Sequence, residues 1–198
     1  MNMELRKQAD RIIEIVGKLP MVKFCKIYGS ISNGLEDDLS DIDIEVDVSG
    51  YDNGQFMLEL PKLLQNDLNI NFYDFAPSLI PAQYIVSLAV NAENPFAMVD
   101  LKCVAQPHST SVSKADAVND TLMHTIKVWL ANVKHYARGV DCYDDIVRMA
   151  RRLHIESIDM KDEYELLEEV LTWVENNITD DLAEYVGNCR DRFEELLY

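Results

Sequence analysis

Between residues 41 and 48 the chain reads Asp-Ile-Asp-Ile-Glu-Val-Asp-Val, with a carboxylate at every odd position and an aliphatic residue at every even one. Strict alternation has the period of a β-strand, and a strand places residues i and i+2 on the same face. Asp41 and Asp43 therefore stand side by side while Ile42 and Ile44 face a core. Two adjacent carboxylates repel, so such a pair is costly unless a cation lies between them. Mg2+ prefers hard oxygen ligands and is usually held by one or two carboxylates together with substrate phosphates. Just upstream, Met-Val-Lys-Phe-Cys-Lys-Ile-Tyr-Gly (21–29) is a short strand-like run that ends at a glycine, and ten residues separate Ser30 from Asp41. Gly29 lets the backbone approach a phosphate closely, and Ser30 offers a hydroxyl and a backbone N–H at a helix N-terminus.

Helix and strand patterns alternate around this segment. Residues 1–20 form an amphipathic helix rather than a secretion signal, since charges interrupt them throughout. Residues 53–66 predict a helix that Pro61 kinks or interrupts. Residues 68–75 predict a strand, 78–90 a helix and 95–104 a further strand. That order argues a mixed-sheet α/β (α+β) layer. From about residue 113 the strand patterns stop. Leu122, Ile126, Trp129, Val133 and Tyr136 recur at helical spacing, and three more helical stretches follow with Asp or Asn ahead of their apolar patterns as N-caps. Gly139 is a C-cap candidate. The expected division is a catalytic domain over 1–110 and a helical domain over 111–198.

At 198 residues with 48% hydrophobic content, a real core is available. No apolar run reaches the ~20 residues that span a bilayer, so the expectation is a cytoplasmic chain with no membrane partner. Cys25, Cys103, Cys142 and Cys189 lie too far apart for a disulfide framework or a zinc site, and the four histidines show no ligand spacing. The net charge is −17, acids outnumbering bases 35 to 18. A protein that tracks a phosphate backbone neutralises it with Lys and Arg. The expected partners are therefore no nucleic acid but a small-molecule acceptor, a cationic one for preference.

Gly-Ser, the ten-residue interval and Asp41-Ile42-Asp43-Ile44 together resemble the signature of the nucleotidyltransferase superfamily with the polymerase-beta-like palm. The resemblance covers about residues 22–104. A helical C-terminal half is similar to the antibiotic (aminoglycoside- and lincosamide-type) branch. One departure is Asn33, where small members of the superfamily often carry Arg. The resemblance implies transfer of a nucleotide, ATP most often, with Mg2+ held by Asp41, Asp43 and a third carboxylate. Asp100, mid-strand between Val99 and Leu101, is the first candidate for the third, and Asp74 is its rival. It also implies basic residues on the helix after that strand. Lys127, Lys134 and Arg138 lie seven and four apart on one helix face, and Lys134 and Arg138 are the candidates for the triphosphate tail, as Gly29 and Ser30 are for the phosphates nearer the metal. Two alternatives stay open, a protein-modifying nucleotidyltransferase and a catalytically silent nucleotide-binding relative.

Overall fold

Two acidic side chains that must share a strand face need a sheet with one face left open to them, and that is how the first part of the chain is built. In a computed structural model, which describes residues 3–76 and 83–196, the chain divides into two compact units. The first comprises Met1–Asn91 and Ala97–Asn119, the second Ala92–Phe96 and Asp120–Tyr198.

The first unit runs α1 (Met3–Val16), β1 (Phe24–Ile27), α2 (Gly29–Asn33), β2 (Ile42–Asp47), α3 (Asn53–Leu64), β3 (Phe72–Phe75), β4 (Gln83–Ala89) and β5 (Val99–Val104). The sheet order is β1-β2-β5-β4-β3. β2 and β5 are parallel, and the other neighbours are antiparallel. Ile42, Ile44 and Val46 of β2 and Val99, Leu101 and Cys103 of β5 turn to one face. There α1 and α3 cover them, and all belong to one core cluster. α1 contributes Leu5, Ala9, Ile12 and Val16, four residues at the three-and-four spacing of a single helix stripe. α3 contributes Phe56, Met57, Leu60 and Leu64, and its N-cap Asp52 accepts the Gln55 N–H at 2.8 Å.

Two expectations are corrected here. Pro61 does not interrupt α3, which continues to Leu64 with Pro61 buried inside it. The proline removes one intrahelical hydrogen bond, a cost offset by the apolar burial of Phe56, Met57, Leu60 and Leu64 on the same helix. The described part of the stretch 78–90 is not a helix. Residues 78–82 lie outside the described residues, and Gln83–Ala89 is strand β4. It pairs with β3 on one side and β5 on the other, and two partner strands outweigh the weak helical pattern of the segment.

The second unit is helical: α4 (Thr121–Ala137), α5 (Tyr143–Arg152), α6 (Glu163–Glu175) and α7 (Ala183–Glu195). The side chain of Asp120 caps α4, and Asp162 with Glu165 forms a reciprocal capping box on α6. α5 and α7 lack a side-chain cap, against the N-cap expectation. Trp129 is fully buried and its indole N–H donates to the Leu167 carbonyl at 2.8 Å. The Trp129 ring meets Phe193 edge-on at 5.4 Å, and Tyr164 stacks on Phe193 at 5.3 Å. Gly139 follows α4 with φ +66°, the left-handed conformation that a C-terminal glycine supplies. The four cysteines are free thiols. Among the described residues no helix is long and apolar enough to cross a membrane.

Candidate active site

The open face of the sheet is organised in rows that run across the strands. Asp43 on β2 is the register partner of Asp100 on β5, Asp100 of Ser87 on β4, and Ser87 of Asp74 on β3. Directly opposed residues share a face, so this row reads Asp43–Asp100–Ser87–Asp74. Asp100 thus neighbours Asp43, whereas Asp74 lies two strands further away. Asp74 and Ser87 are both 0% exposed, while Asp43 and Asp100 are only partly buried. Ser87 Oγ donates to Asp100 Oδ1 at 2.5 Å, which fixes one carboxylate oxygen. Asp41, immediately before β2, is also partly exposed. The turn ahead of it is built by Asp37 and Ser40. Asp37 Oδ1 accepts from the Leu39 N–H at 3.1 Å and from Ser40 Oγ at 2.8 Å.

Gly29 sits against Asp43. Its φ is +70°, and a Cβ placed on it would lie 2.1 Å from Asp43 Oδ2. The missing side chain is therefore the space that the carboxylate occupies. The neighbouring Tyr28 N–H donates to the Asp43 carbonyl at 3.0 Å, carrying the β1–β2 ladder one residue beyond Ile27. Ser30 is the second residue of the short helix α2. Asn33, at the point of departure from the superfamily pattern, donates from Nδ2 to the Gly29 carbonyl at 2.8 Å, and Ser32 Oγ donates to the same oxygen at 2.9 Å. Asn33 thus holds the turn.

One step along the same face lies a second row, Lys26–Glu45–Lys102, also in register across β1, β2 and β5. Lys26 Nζ is 2.6 Å from one Glu45 oxygen and Lys102 Nζ 2.7 Å from the other. Partial burial pushes the Glu45 carboxyl up, but the hydrogen bonds from Lys102 and then Lys26 outweigh it and hold the group below its ordinary value. Lys102 Nζ also lies 4.6 Å from the centroid of the Tyr28 ring. The Tyr28 hydroxyl is pushed well above its ordinary range by burial, then by Asp43, Asp100, Glu45 and Asp41. Four carboxylates of the open face thus act on this one phenol. Sequence patterning missed Tyr28, Ser87, Glu45 and Lys102. The signal for Glu45 and Lys102 was their place two residues beyond Asp43 and Asp100, but only the strand register makes them neighbours.

The oxygen donors suit a hard cation, and two register-paired carboxylates fit one. Among the described residues, however, no group of three or more His, Cys, Asp or Glu side chains is gathered as a metal site. The basic residues lie on α4 of the second unit. Lys134 is 6% exposed and buried, Lys127 is half-buried and Arg138 is exposed, so one helix face does not give the three a common environment.

No family model matches the chain, and no curated protein matches it. Several solved structures do. A GLD-2/RNP-8 complex aligns over 98% of this chain and 63% of its own, at 14% identity and a TM-score of 0.42. A structure of Cid1, described for its RNA terminal uridylyl transferase activity, aligns over 79% and 42%, at 16% identity and 0.38. The polymerase core of TRAMP, an RNA surveillance complex, aligns over 98% and 58%, at 17% identity and 0.41. The chain spans less than two thirds of each of these. Likeness at this level assigns no residue of this chain a role, and none of the three names an antibiotic-modifying enzyme. Two of them do name RNA, and the expectation that nucleic acid is no partner is withdrawn. It rested on the net charge of the whole chain, which averages over local groups. On α5 a groove of about 470 Å³ is lined by Arg148, Arg151 and Arg152 with Asp144 and Val147, and Arg148 and Arg151 are paired with Asp145 and Asp159, so arginines cluster locally on an acidic protein.

Proposed function

We propose that this chain is a nucleotidyltransferase that moves a nucleotide, AMP from ATP in the first instance, onto a hydroxyl of an acceptor. The carrying observation is the register pairing of Asp43 with Asp100 beside the gap left by Gly29. Asp43 and Asp100, joined by Asp41, are the residues that would hold Mg2+. When bound, the metal supplies charge neutralisation at the triphosphate and at the attacking and leaving oxygens. The chain's own groups do the rest. Gly29 allows the backbone to approach the phosphates, and the Ser30 hydroxyl donates to a phosphate oxygen. Asp100, with Oδ1 already engaged by Ser87, keeps Oδ2 to accept the proton of the acceptor hydroxyl. Lys134 and Arg138 are assigned to the triphosphate tail by the resemblance alone.

A small cationic acceptor, of the aminoglycoside class, is the reading that the resemblance to the antibiotic branch implies. A second reading, an RNA 3′ hydroxyl, is supported by the arginine-lined groove on α5. The test incubates the full chain with each labelled nucleoside triphosphate, Mg2+ and either an aminoglycoside or a short RNA, and reads product mass and pyrophosphate. The expected result is gain of one nucleotide on one acceptor class, lost in Asp43→Asn. A folded chain that neither releases pyrophosphate nor binds any triphosphate with Mg2+ overturns the proposal.

A further inference from the structure

We propose that Lys102 is a positioning residue for the carboxylate pair, holding Asp43 in place through Tyr28; the inference rests on the nucleotidyl-transfer reading above. Lys102 lies in the row next to Asp43 and Asp100, two residues along β5 from Asp100, a rise of roughly 6.6 Å. It is 17% exposed at the side chain and its partner Glu45 16%, whereas Lys26 is 55% exposed. Glu45 spends one oxygen on each lysine, so Lys102 is anchored at one end by a well-shielded carboxylate. Its ammonium also faces the Tyr28 ring at 4.6 Å, within the range at which a cation is attracted to an aromatic face.

Tyr28 passes that restraint on. Its backbone N–H is bonded to the Asp43 carbonyl at 3.0 Å, and it directly precedes Gly29, the residue whose missing Cβ makes room for Asp43 Oδ2. The order of restraint is Glu45, Lys102, Tyr28, then the Tyr28–Gly29 junction and the Asp43 carboxylate. A carboxylate pair that must receive a cation gains from being held in one orientation beforehand, because groups behind metal ligands set ligand geometry.

Two roles for Lys102 give opposite signs. A lysine that only adds positive charge near the pair repels a metal ion, so removing it tightens metal binding. A lysine that positions Asp43 strengthens binding, so removing it weakens binding despite the lost repulsion. The experiment is calorimetric titration of Mn2+ into the full chain without nucleotide, comparing wild type, Lys102→Met, Lys102→Arg, Tyr28→Leu, Tyr28→Phe and Asp43→Asn. Lys102→Met and Tyr28→Leu are expected to weaken Mn2+ binding about tenfold, the low end of the range for groups behind metal ligands. Lys102→Arg keeps the cation and Tyr28→Phe keeps the ring, so both are expected to stay near wild type. If Lys102→Met binds Mn2+ as tightly as wild type or more tightly, the positioning role is refuted while the proposed function stands. Should Asp43→Asn leave Mn2+ binding unchanged, the metal reading of the site falls, and the inference with it. If Lys102→Met does not fold, Tyr28→Leu against Tyr28→Phe makes the same comparison with both lysines and Glu45 intact.

Discussion

Replacing Gly29 with alanine isolates the contact on which the site geometry turns. The new Cβ meets two obstacles. At φ +70° an L side chain enters the left-handed region, which costs roughly 1–2 kcal/mol. The same Cβ would also stand 2.1 Å from Asp43 Oδ2 and 3.0 Å from Asp43 Cγ. The carboxylate must rotate away, and an off-rotamer side chain adds about 0.5–1.5 kcal/mol. The sum, roughly 1.5–3.5 kcal/mol, shifts the melting temperature of a chain this size by about 2–4 °C per kcal/mol. Gly34 is the internal control, because its φ is +66° but nothing lies within 4 Å of its added Cβ. Gly34→Ala should therefore cost only the backbone part. In an Asp43→Ala background the clash has no partner, and Gly29→Ala should fall to the Gly34→Ala level. Thermal and urea unfolding of the two single variants and the double variant measure the difference. If Gly29→Ala costs no more than Gly34→Ala in the wild-type background, the packing of Asp43 against Gly29 is not as described.

Other perturbations separate neighbouring roles. Asp100→Ala should lower the transfer rate by several orders of magnitude and cost stability only through the lost Ser87 hydrogen bond, about 1–3 kcal/mol. Asp74→Ala, at a fully buried position, should lower the melting temperature without a matching loss of rate in the folded protein, and a rate assay beside a melting curve distinguishes them. Lys134→Gln and Arg138→Gln should each weaken triphosphate binding by roughly 1.5–3 kcal/mol and monophosphate binding far less, by calorimetry; equal small effects on both ligands would remove them from the site. Glu45 has its folded-state pKa held below its ordinary value of 4.5. Its stabilising contribution is therefore complete above that pH and is lost as the pH falls through the lower folded-state value. Glu45→Gln should flatten the acid limb of the stability–pH curve, and an unchanged limb would count against the Lys26–Glu45–Lys102 row.

The parts of this structure that could be read from the sequence are those governed by neighbours along the chain. The alternation at 41–48 announced β2, and the three-and-four spacing of Ile126, Trp129 and Val133 announced the buried stripe of α4. What escaped depends on partners distant in sequence. Residues 83–89 make a strand because β3 and β5 flank them, and nothing local in Tyr-Ile-Val-Ser-Leu-Ala decides between helix and strand. The mid-strand position of Asp100 places it ahead of Asp74, but that it is the register neighbour of Asp43 turns on strand order, a pairing across more than fifty residues. Helical spacing groups Lys134 with Lys127 and Arg138 on one face because it reports direction around an axis, not what packs there, and Lys134 is buried.

The last residue of the first unit and the first of the second make two consecutive decisions. Asn119 accepts the Phe75 N–H at 2.7 Å through its side-chain oxygen and donates to the Phe75 carbonyl at 2.8 Å through its amide nitrogen. One primary amide therefore imitates the peptide of an absent sixth strand at the end of β3. It occupies a donor and an acceptor through which another chain could extend the sheet. Asp120, the next residue, accepts from the Leu122 and Met123 N–H groups and opens α4. The change from sheet to helix is thus written in two adjacent side chains of nearly the same shape. An Asn-to-Asp exchange at 119 would keep the acceptor and lose the donor, setting a carboxylate against a carbonyl, and so unseal the sheet edge while leaving the start of the helix untouched.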